Sequence, residues 1–159
     1  MSKNPELTPK EIEALSEQTL ARMINENKTL QEVLNVDQDI LEEMYSLAYS
    51  HYMQGKYQDA YNLFYFIHLT APTNYKFTFG FASCCHQLQM YNDAVVLFAA
   101  ALEISQEDPT PLFYMADSFE KLGMTEESKG CFEALIKLCG EREEFKALKE
   151  QSEALSGTL

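Results

Sequence analysis

The chain is poor in positive charge, in glycine and in proline, and each shortage excludes a class of protein. Only 12 Lys and Arg stand against 25 Asp and Glu, a net charge of −13 over 159 residues. A protein that binds phosphate groups needs a basic face, so we expect neither nucleic acid nor an anionic membrane surface as a partner. With six Gly and five Pro, a long flexible linker is not expected either. A hydrophobic content of 46% predicts one folded domain.

Long apolar runs are also missing. The longest, Ala94–Leu102, is far shorter than the roughly 20 residues that cross a bilayer. Residues Met1–Glu11 lack the apolar core of a secretory signal peptide. We therefore expect a cytoplasmic protein with no segment inserted in a membrane.

The motifs of common catalytic and metal sites are absent from the sequence. It has no Gly-rich phosphate loop, no HExxH and no GxSxG motif. The histidines His51, His68 and His86 have no partner at metal-ligand spacing, and no CxxC pair occurs among the four cysteines. We expect no enzymatic activity, no cofactor, no metal site and four reduced thiols.

The chain contains instead a repeating pattern that begins at Leu41. Five columns of residues return at a spacing of 34 without a gap. The columns are Ala48, Ala82 and Ala116; Gly55, Gln89 and Gly123; Ala60, Ala94 and Ser128; Phe64, Phe98 and Phe132; and Ile67, Ala101 and Leu135. Small residues let two helices approach, Phe fills the space between them, and Gly ends the first helix. A fixed period of this length indicates a helical-repeat array.

The unit resembles the tetratricopeptide repeat. The small-Gly-Tyr-Ala-Phe-Pro pattern of that family is matched at Ala48, Gly55, Tyr57, Ala60, Phe64 and Pro72. Met44 stands in place of the usual Trp, and Gln89 replaces the glycine of the second turn, which predicts a less regular turn there. The resemblance implies an all-α fold in which three tandem repeats, residues 41–74, 75–108 and 109–138, form a superhelical array. The repeat domain would cover residues 37–159 and end with a closing helix at 141–155.

Residues 1–36 form a separate helical segment in this interpretation. Thr8, Pro9 and Glu11 make a capping box with proline at the first helical position. A narrow apolar stripe follows at helical spacing, and Thr29 starts a second, short helix. The stripe could cover the open end of the first repeat, as terminal units of an array must. It could equally pack against a second copy of the chain.

The first helix of each tetratricopeptide unit lines the concave side of the array, so its outward residues predict a binding groove. Tyr45, Tyr49 and Tyr52 recur at i, i+4 and i+7 and share one side of a helix. A tyrosine side chain has an apolar ring and a polar hydroxyl, so it suits a surface that water covers in the free protein and a ligand covers in the complex. The alternative is that these rings are ordinary core. The predicted groove residues are Tyr45, Tyr49, Tyr52, Lys76, Phe79, His86 and Phe113.

Three stretches resemble the class II chaperones of bacterial type III secretion, which serve translocator proteins. These are Ile40–Ala60, Phe79–Gln87 and Pro109–Tyr114. The resemblance implies a chaperone in the bacterial cytoplasm that keeps hydrophobic translocators apart, soluble and competent for export. A PxLxxP-like extended segment of the partner would lie in the groove. It also implies a homodimer through the N-terminal helices. The apolar pattern of those helices predicts the interface residues, which are Ile12, Leu15, Met23, Ile24, Leu30 and Leu34.

A second function is compatible with the repeats: a generic adaptor that scaffolds a folded protein or clamps a C-terminal carboxylate. A clamp needs several Lys, Arg and Asn side chains that converge in the groove. Lys76 and Lys121 are the only predicted groove cations, whereas Tyr and Phe dominate. This composition favours an apolar peptide.

Overall fold

The fold is built from helices that follow one another in antiparallel pairs. The computed structural model describes residues 8–158, so the outer ends of the predicted segments, residues 1–7 and 159, lie outside the described residues. The helices are α1 (Pro9–Glu26), α2 (Leu30–Leu34), α3 (Gln38–Met53), α4 (Tyr57–Thr70), α5 (Tyr75–Gln87), α6 (Tyr91–Ile104), α7 (Thr110–Lys121), α8 (Thr125–Cys139) and α9 (Lys146–Ser156). The pairs α3–α4, α5–α6 and α7–α8 are the three repeats, which confirms the predicted all-α array.

The repeating columns of the sequence form the core. All three residues of the Ala48 column and all three of the Ala60 column have no exposed surface. Phe64, Phe98 and Phe132 are at most 2% exposed. Each repeat therefore adds the same small and bulky residues to the core at the same places. The buried residues of the first two repeats form one cluster, and Leu112, Leu135 and Cys139 form a second.

The turns between paired helices repeat as well, and here one prediction is wrong. Gly55 and Gly123 adopt left-handed φ angles of 73° and 75°, and Gln89 adopts 62°. The backbone N–H of Gln89 donates to the His86 carbonyl at 3.0 Å, as that of Gly55 does to Tyr52. The second turn is thus as regular as the others. The exposed side chain of Gln89 tolerates a conformation that glycine adopts more easily.

The N-terminal helices begin at the predicted caps but cover little of the array. Thr8 and Thr29 both form complete capping boxes. No residue of α1 is buried, whereas Val33 of α2 is 7% exposed. The guanidinium of Arg22 donates to the Val33 carbonyl at 3.2 Å and links the two helices. Within one chain, the stripe on α1 stays open to solvent.

The closing helix begins later than predicted. A short 3₁₀ helix covers Glu143–Phe145, and α9 starts only at Lys146. Arg142 explains the delay, because its guanidinium folds back and donates to the carbonyls of Leu138 and Glu107 at 2.7 and 2.9 Å. The chain must complete this turn before another helix can start.

Gly80 lies in the middle of α5, directly against the ring of Phe64 on α4. A Cβ atom placed on Gly80 would lie 2.6 Å from Cζ of Phe64. Gly130, in the middle of α8, has no atom within 4 Å of the same position. Close packing of α5 against Phe64 of the preceding repeat therefore requires glycine at residue 80.

We expect Gly80→Ala to lower the free energy of unfolding by about 1–2 kcal/mol, because overpacking outweighs the gain in helix propensity. Gly130→Ala is the matched control and should raise it by about 0.5–1 kcal/mol. Urea unfolding followed by circular dichroism measures both. Equal stabilisation by the two substitutions would contradict the packing requirement.

A candidate peptide-binding groove

The first helices of the repeats form one layer. α3 contacts α5, and α5 contacts α7, whereas within residues 8–158 no contact of similar extent joins α4 to α6 or α6 to α8. The array therefore curves with its first helices on the inner side. The outward residues of α3, α5 and α7 line this concave surface.

One aromatic pair recurs in every repeat. A ring on the first helix meets the buried Phe of the second helix edge-on, with planes at 66–75°. The pairs are Tyr45 with Phe64, Phe79 with Phe98, and Phe113 with Phe132, at centroid distances of 5.8, 5.4 and 6.1 Å. Edge-to-face contact is a favoured aromatic geometry. Each concave ring is therefore held in place by the core beneath it.

A cavity of about 270 Å³ opens on the concave surface where the first repeat meets the second. Its lining is mostly aromatic. The lining residues are Tyr45, Tyr49, Tyr52, Phe64, Tyr75, Lys76, Phe79, Gly80, Ser83 and Tyr114. Five of the seven predicted groove residues thus lie together. A concave aromatic site with a few polar groups is the usual form of a ligand pocket.

The rings of the cavity are partly in the core and partly in solvent. Tyr45 stacks on Tyr49 with centroids 6.3 Å apart, and Tyr49 remains 51% exposed. Burial raises the pKa values of the Tyr45 and Tyr52 hydroxyls. These hydroxyls therefore remain neutral at physiological pH, and the surface offers apolar ring faces with uncharged polar tips.

Polar side-chain contacts across the concave surface connect successive repeats. Nζ of Lys76 lies 2.8 Å from Oε2 of Glu42 and 5.1 Å from the centre of the Tyr45 ring. The hydrogen bond from Lys76 lowers the pKa of the Glu42 carboxyl. In the next junction, Nε2 of His86 lies 2.6 Å from Oδ2 of Asp117. The one cation that lines the cavity, Lys76, is thus paired with Glu42.

His86 and Phe113 do not line the cavity, although the sequence predicts both as groove residues. Tyr114 lies between them, with ring centroids 6.0 Å from His86 and 5.6 Å from Phe113. The Tyr114 ring also stacks on Phe98 at 5.3 Å. Sequence reasoning did not identify Tyr114 as a groove residue. The available signal was the repeat register, in which an aromatic residue replaces the small residues Ser46 and Gly80.

The described part of the chain was also compared with the expectations for metal ligands, reactive thiols and membrane-spanning helices. No group of three or more His, Cys, Asp or Glu side chains there is placed to hold a metal ion. Burial raises the pKa values of Cys84 and Cys85 to about 12, so these two thiols are protonated and unreactive. Between residues 8 and 158, no helix is both long and apolar enough to cross a bilayer.

A second exposed surface is the apolar stripe of α1. The side chains of Ile12, Leu15 and Ile24 are 51%, 48% and 70% exposed. Ser16, Thr19, Leu20 and Met23 extend the stripe or lie beside it. Leu30 is half-buried on α2 and Leu34 is exposed at its end, so these two predicted interface residues lie on the neighbouring helix. A helix with such a face is usually covered by a partner.

The array matches tetratricopeptide-repeat models over residues 41–67, 75–108 and 112–139, which is more than half of the chain. The chain belongs to the tetratricopeptide-repeat family. It is 28% identical over 142 residues to the chaperone protein SicA of Salmonella typhimurium, covering 87% of this chain and 84% of SicA.

The fold is also similar to that of SycD, the type III secretion translocator chaperone of Yersinia enterocolitica. The TM-score is 0.75 at 23% identity, covering 83% of this chain and 98% of SycD. SycD has also been solved as an alternative dimer, with a TM-score of 0.73. Its complex with a peptide of the translocator YopD has a TM-score of 0.74 at 24% identity, covering 77% of this chain and 94% of SycD. These relatives confirm the resemblance to class II chaperones of type III secretion.

Asp108 connects the first helices of the second and third repeats through hydrogen bonds to Tyr75 and Thr110. Its Oδ2 accepts a hydrogen bond from the hydroxyl of Tyr75 at 2.6 Å, and its Oδ1 accepts one from the backbone N–H of Thr110 at 2.9 Å. Burial alone would raise the pKa of Asp108, but the hydrogen bonds from Thr110 and Tyr75 outweigh it and lower the pKa. The charged carboxylate is therefore the stabilising form.

We expect Asp108→Asn to lower the free energy of unfolding at neutral pH by about 1 kcal/mol. Because the pKa of Asp108 is lower in the folded state, its contribution is present above the unfolded pKa and is lost as the pH falls below about 4. The difference between wild type and variant should therefore shrink in acid. Urea unfolding over this pH range measures it, with exposed Asp59→Asn as control. A difference that grows in acid would contradict the assignment.

Proposed function

We propose that this protein is a chaperone that binds an extended apolar segment of a translocator protein in its concave groove. The observation that carries the proposal is the aromatic cavity between α3 and α5. The similarity to SycD, which has been solved with a translocator peptide, supports the same kind of ligand. The site offers binding rather than catalysis.

The shape and chemistry of the groove favour a segment of the PxLxxP type. Half-buried rings such as Tyr45 and Phe79 provide apolar faces for Leu and Pro side chains. An extended segment that contains proline loses little conformational entropy on binding. The tyrosine hydroxyls at the rim can bond to the peptide backbone, which an extended ligand leaves unpaired.

The chaperone role follows from what a free translocator would expose. A protein destined to enter a membrane carries apolar stretches that aggregate in water. Binding part of such a protein in the bacterial cytoplasm keeps it soluble, separate from its partner translocator and competent for export. The net charge of −13 keeps the complex soluble, because acidic surfaces repel one another.

The alternative function, a clamp for a C-terminal carboxylate, is less favoured by the groove. Lys76 is the cation nearest to the cavity, and its ammonium is paired with Glu42 at 2.8 Å. A carboxylate ligand would have to displace Glu42 and would then lie beside it. An uncharged apolar segment needs no such exchange.

The proposal is tested with a synthetic PxLxxP peptide and the variant Tyr49→Ala. Tyr49 is the most exposed ring of the cavity, so its loss should weaken binding without opening a core void. We expect affinity to fall by about tenfold or more, the usual loss when an aromatic anchor is removed. Isothermal titration calorimetry measures the affinity, and circular dichroism checks that the helical content is unchanged.

Tyr65→Ala is the matched control, because Tyr65 is 46% exposed but lies on α4 in the outer layer. It should leave affinity unchanged. A loss of affinity with Tyr65→Ala but none with Tyr49→Ala would place the binding site outside the groove. Substitution of Tyr52 or Phe79 is a weaker test, since both rings also pack against the core.

We also propose that two copies associate through the apolar stripe of α1. The exposure of Ile12, Leu15 and Ile24 supports this choice of surface, and the structure of SycD as a dimer supports self-association. Leu15→Glu would bury a charge in this interface and should give a monomer, because an unpaired buried charge is costly. Ala14→Glu, on the opposite side of α1, should keep the dimer. Light scattering over a range of concentrations measures the mass. Identical masses for both variants would contradict an interface at this stripe.

A further inference from the structure

A second cavity lies on the outer side of the array, between the second helices of the first two repeats. α4 and α6 both pack against α5, and a cavity of about 330 Å³ opens between them. The residues that line this outer groove are Tyr61, Phe81, Cys85, Asp93, Val96 and Leu97. Phe81 and Cys85 of α5 are almost completely buried and lie at its base, whereas Val96 is 68% exposed. The outer groove shares no lining residue with the cavity of the concave surface.

The side of the outer groove that α4 forms is aromatic. The rings of Tyr61 and Tyr65 stack with an interplanar angle of 3° and centroids 6.2 Å apart. Both rings contact Phe81, at centroid distances of 5.1 and 5.6 Å. Tyr65 is 46% exposed, and Leu69, one turn further along the same face, is 44% exposed. An apolar surface supported by Phe81 therefore extends for about 12 Å along α4.

The next junction of the array lacks this surface. α6 and α8 pack against α7 as α4 and α6 pack against α5. Thirty-four residues later, however, Tyr65 returns as Ala99 and Val96 as Gly130. Charged residues occupy the exposed side of α8, namely Glu126, Glu127, Glu133 and Lys137. The packing of the repeats therefore does not require the exposed apolar side chains of the outer groove, and such a surface indicates a contact with a partner.

The charge of the outer groove indicates which partner fits. α4 and α6 contain no Lys or Arg, whereas Asp93 lines the cavity. Among residues 8–158, no cationic side chain forms an ion pair with Asp93. A cation on a ligand would therefore gain a carboxylate partner beside the apolar surface. Helix α1 of a second copy fits poorly, because it carries four Glu against one Lys and one Arg.

We propose that the outer groove binds an amphipathic helix of a partner protein. Its apolar face covers Tyr61, Tyr65 and Val96, and a Lys or Arg lies beside Asp93. A helix satisfies its own backbone hydrogen bonds, whereas an extended segment needs partners for them, and the cavity offers few beyond the Tyr61 hydroxyl and the Asp93 carboxylate. This site is separate from the concave groove, so the inference does not depend on the proposed function.

The probe is a synthetic amphipathic helix with leucines at i, i+3, i+4 and i+7, lysines on its other side and no proline. Fluorescence anisotropy measures its affinity for the full chain. Val96→Glu would place a charge among the apolar residues of the complex, so we expect affinity to fall by about tenfold or more. Gly130→Glu is the matched control, because it adds the same charge at the equivalent exposed position of the third repeat, and it should leave affinity unchanged.

A second peptide, with glutamates in place of the lysines, tests the role of Asp93. At physiological ionic strength, distant charges are screened within about 8 Å. We expect the wild type to bind the glutamate peptide about two- to fivefold more weakly, the usual size of an exposed ion pair. Asp93→Asn should remove this preference, and Glu133→Gln should retain it.

Other occupants of the outer groove are separate outcomes of the same experiments. Tyr49→Ala should leave the affinity for the lysine peptide unchanged, and a loss with this variant would place the peptide in the concave groove and overturn the proposal. A lower mass of Val96→Glu in light scattering would identify a second copy as the occupant. Binding of phosphatidylcholine vesicles that Val96→Glu abolishes would identify a membrane surface. Either result, or a wild type that does not bind the lysine peptide, would also overturn the proposal.

Discussion

The structure depends on one contact that every repeat makes: a concave aromatic ring set edge-on against the buried Phe of its own second helix. The contact recurs at 34-residue intervals with ring planes at 66–75°. It joins the two helices of a unit and fixes the direction of the outward ring. Because the Ala48 and Ala60 columns have no exposed surface, the helices are close enough for this contact in all three units.

This contact gives the concave rings two roles. From the sequence, groove and core were alternative assignments for the tyrosines of α3. Tyr45 is both a core residue and a cavity residue, since its ring packs against Phe64 and also lines the cavity. Binding rings that are anchored in the core are already ordered before a ligand arrives, so little side-chain entropy is lost on binding. This pre-organisation suits the proposed binding of an extended segment.

The charges are arranged so that the groove remains apolar. The net charge of −13 lies on a chain in which the cavity contains one cation, Lys76, and this ammonium is paired with Glu42. At the next junction, Nε2 of His86 lies 2.6 Å from Oδ2 of Asp117. Exposed ion pairs contribute little to stability. An uncharged ligand can therefore bind without displacing Glu42 from Lys76.

The sequence by itself determined the repeats, the core columns and both N-terminal capping boxes, and five of the seven residues that it predicts for the groove line one cavity. Each of these depends on local spacing, which the printed sequence shows directly. Only the tertiary structure decided that Tyr114 lines the cavity, that His86 and Phe113 do not, and that the second turn is regular at Gln89. These depend on how residues from adjacent repeats meet. The spacing of residues within one helix cannot show which of its side chains fills the space next to the helix of an adjacent repeat.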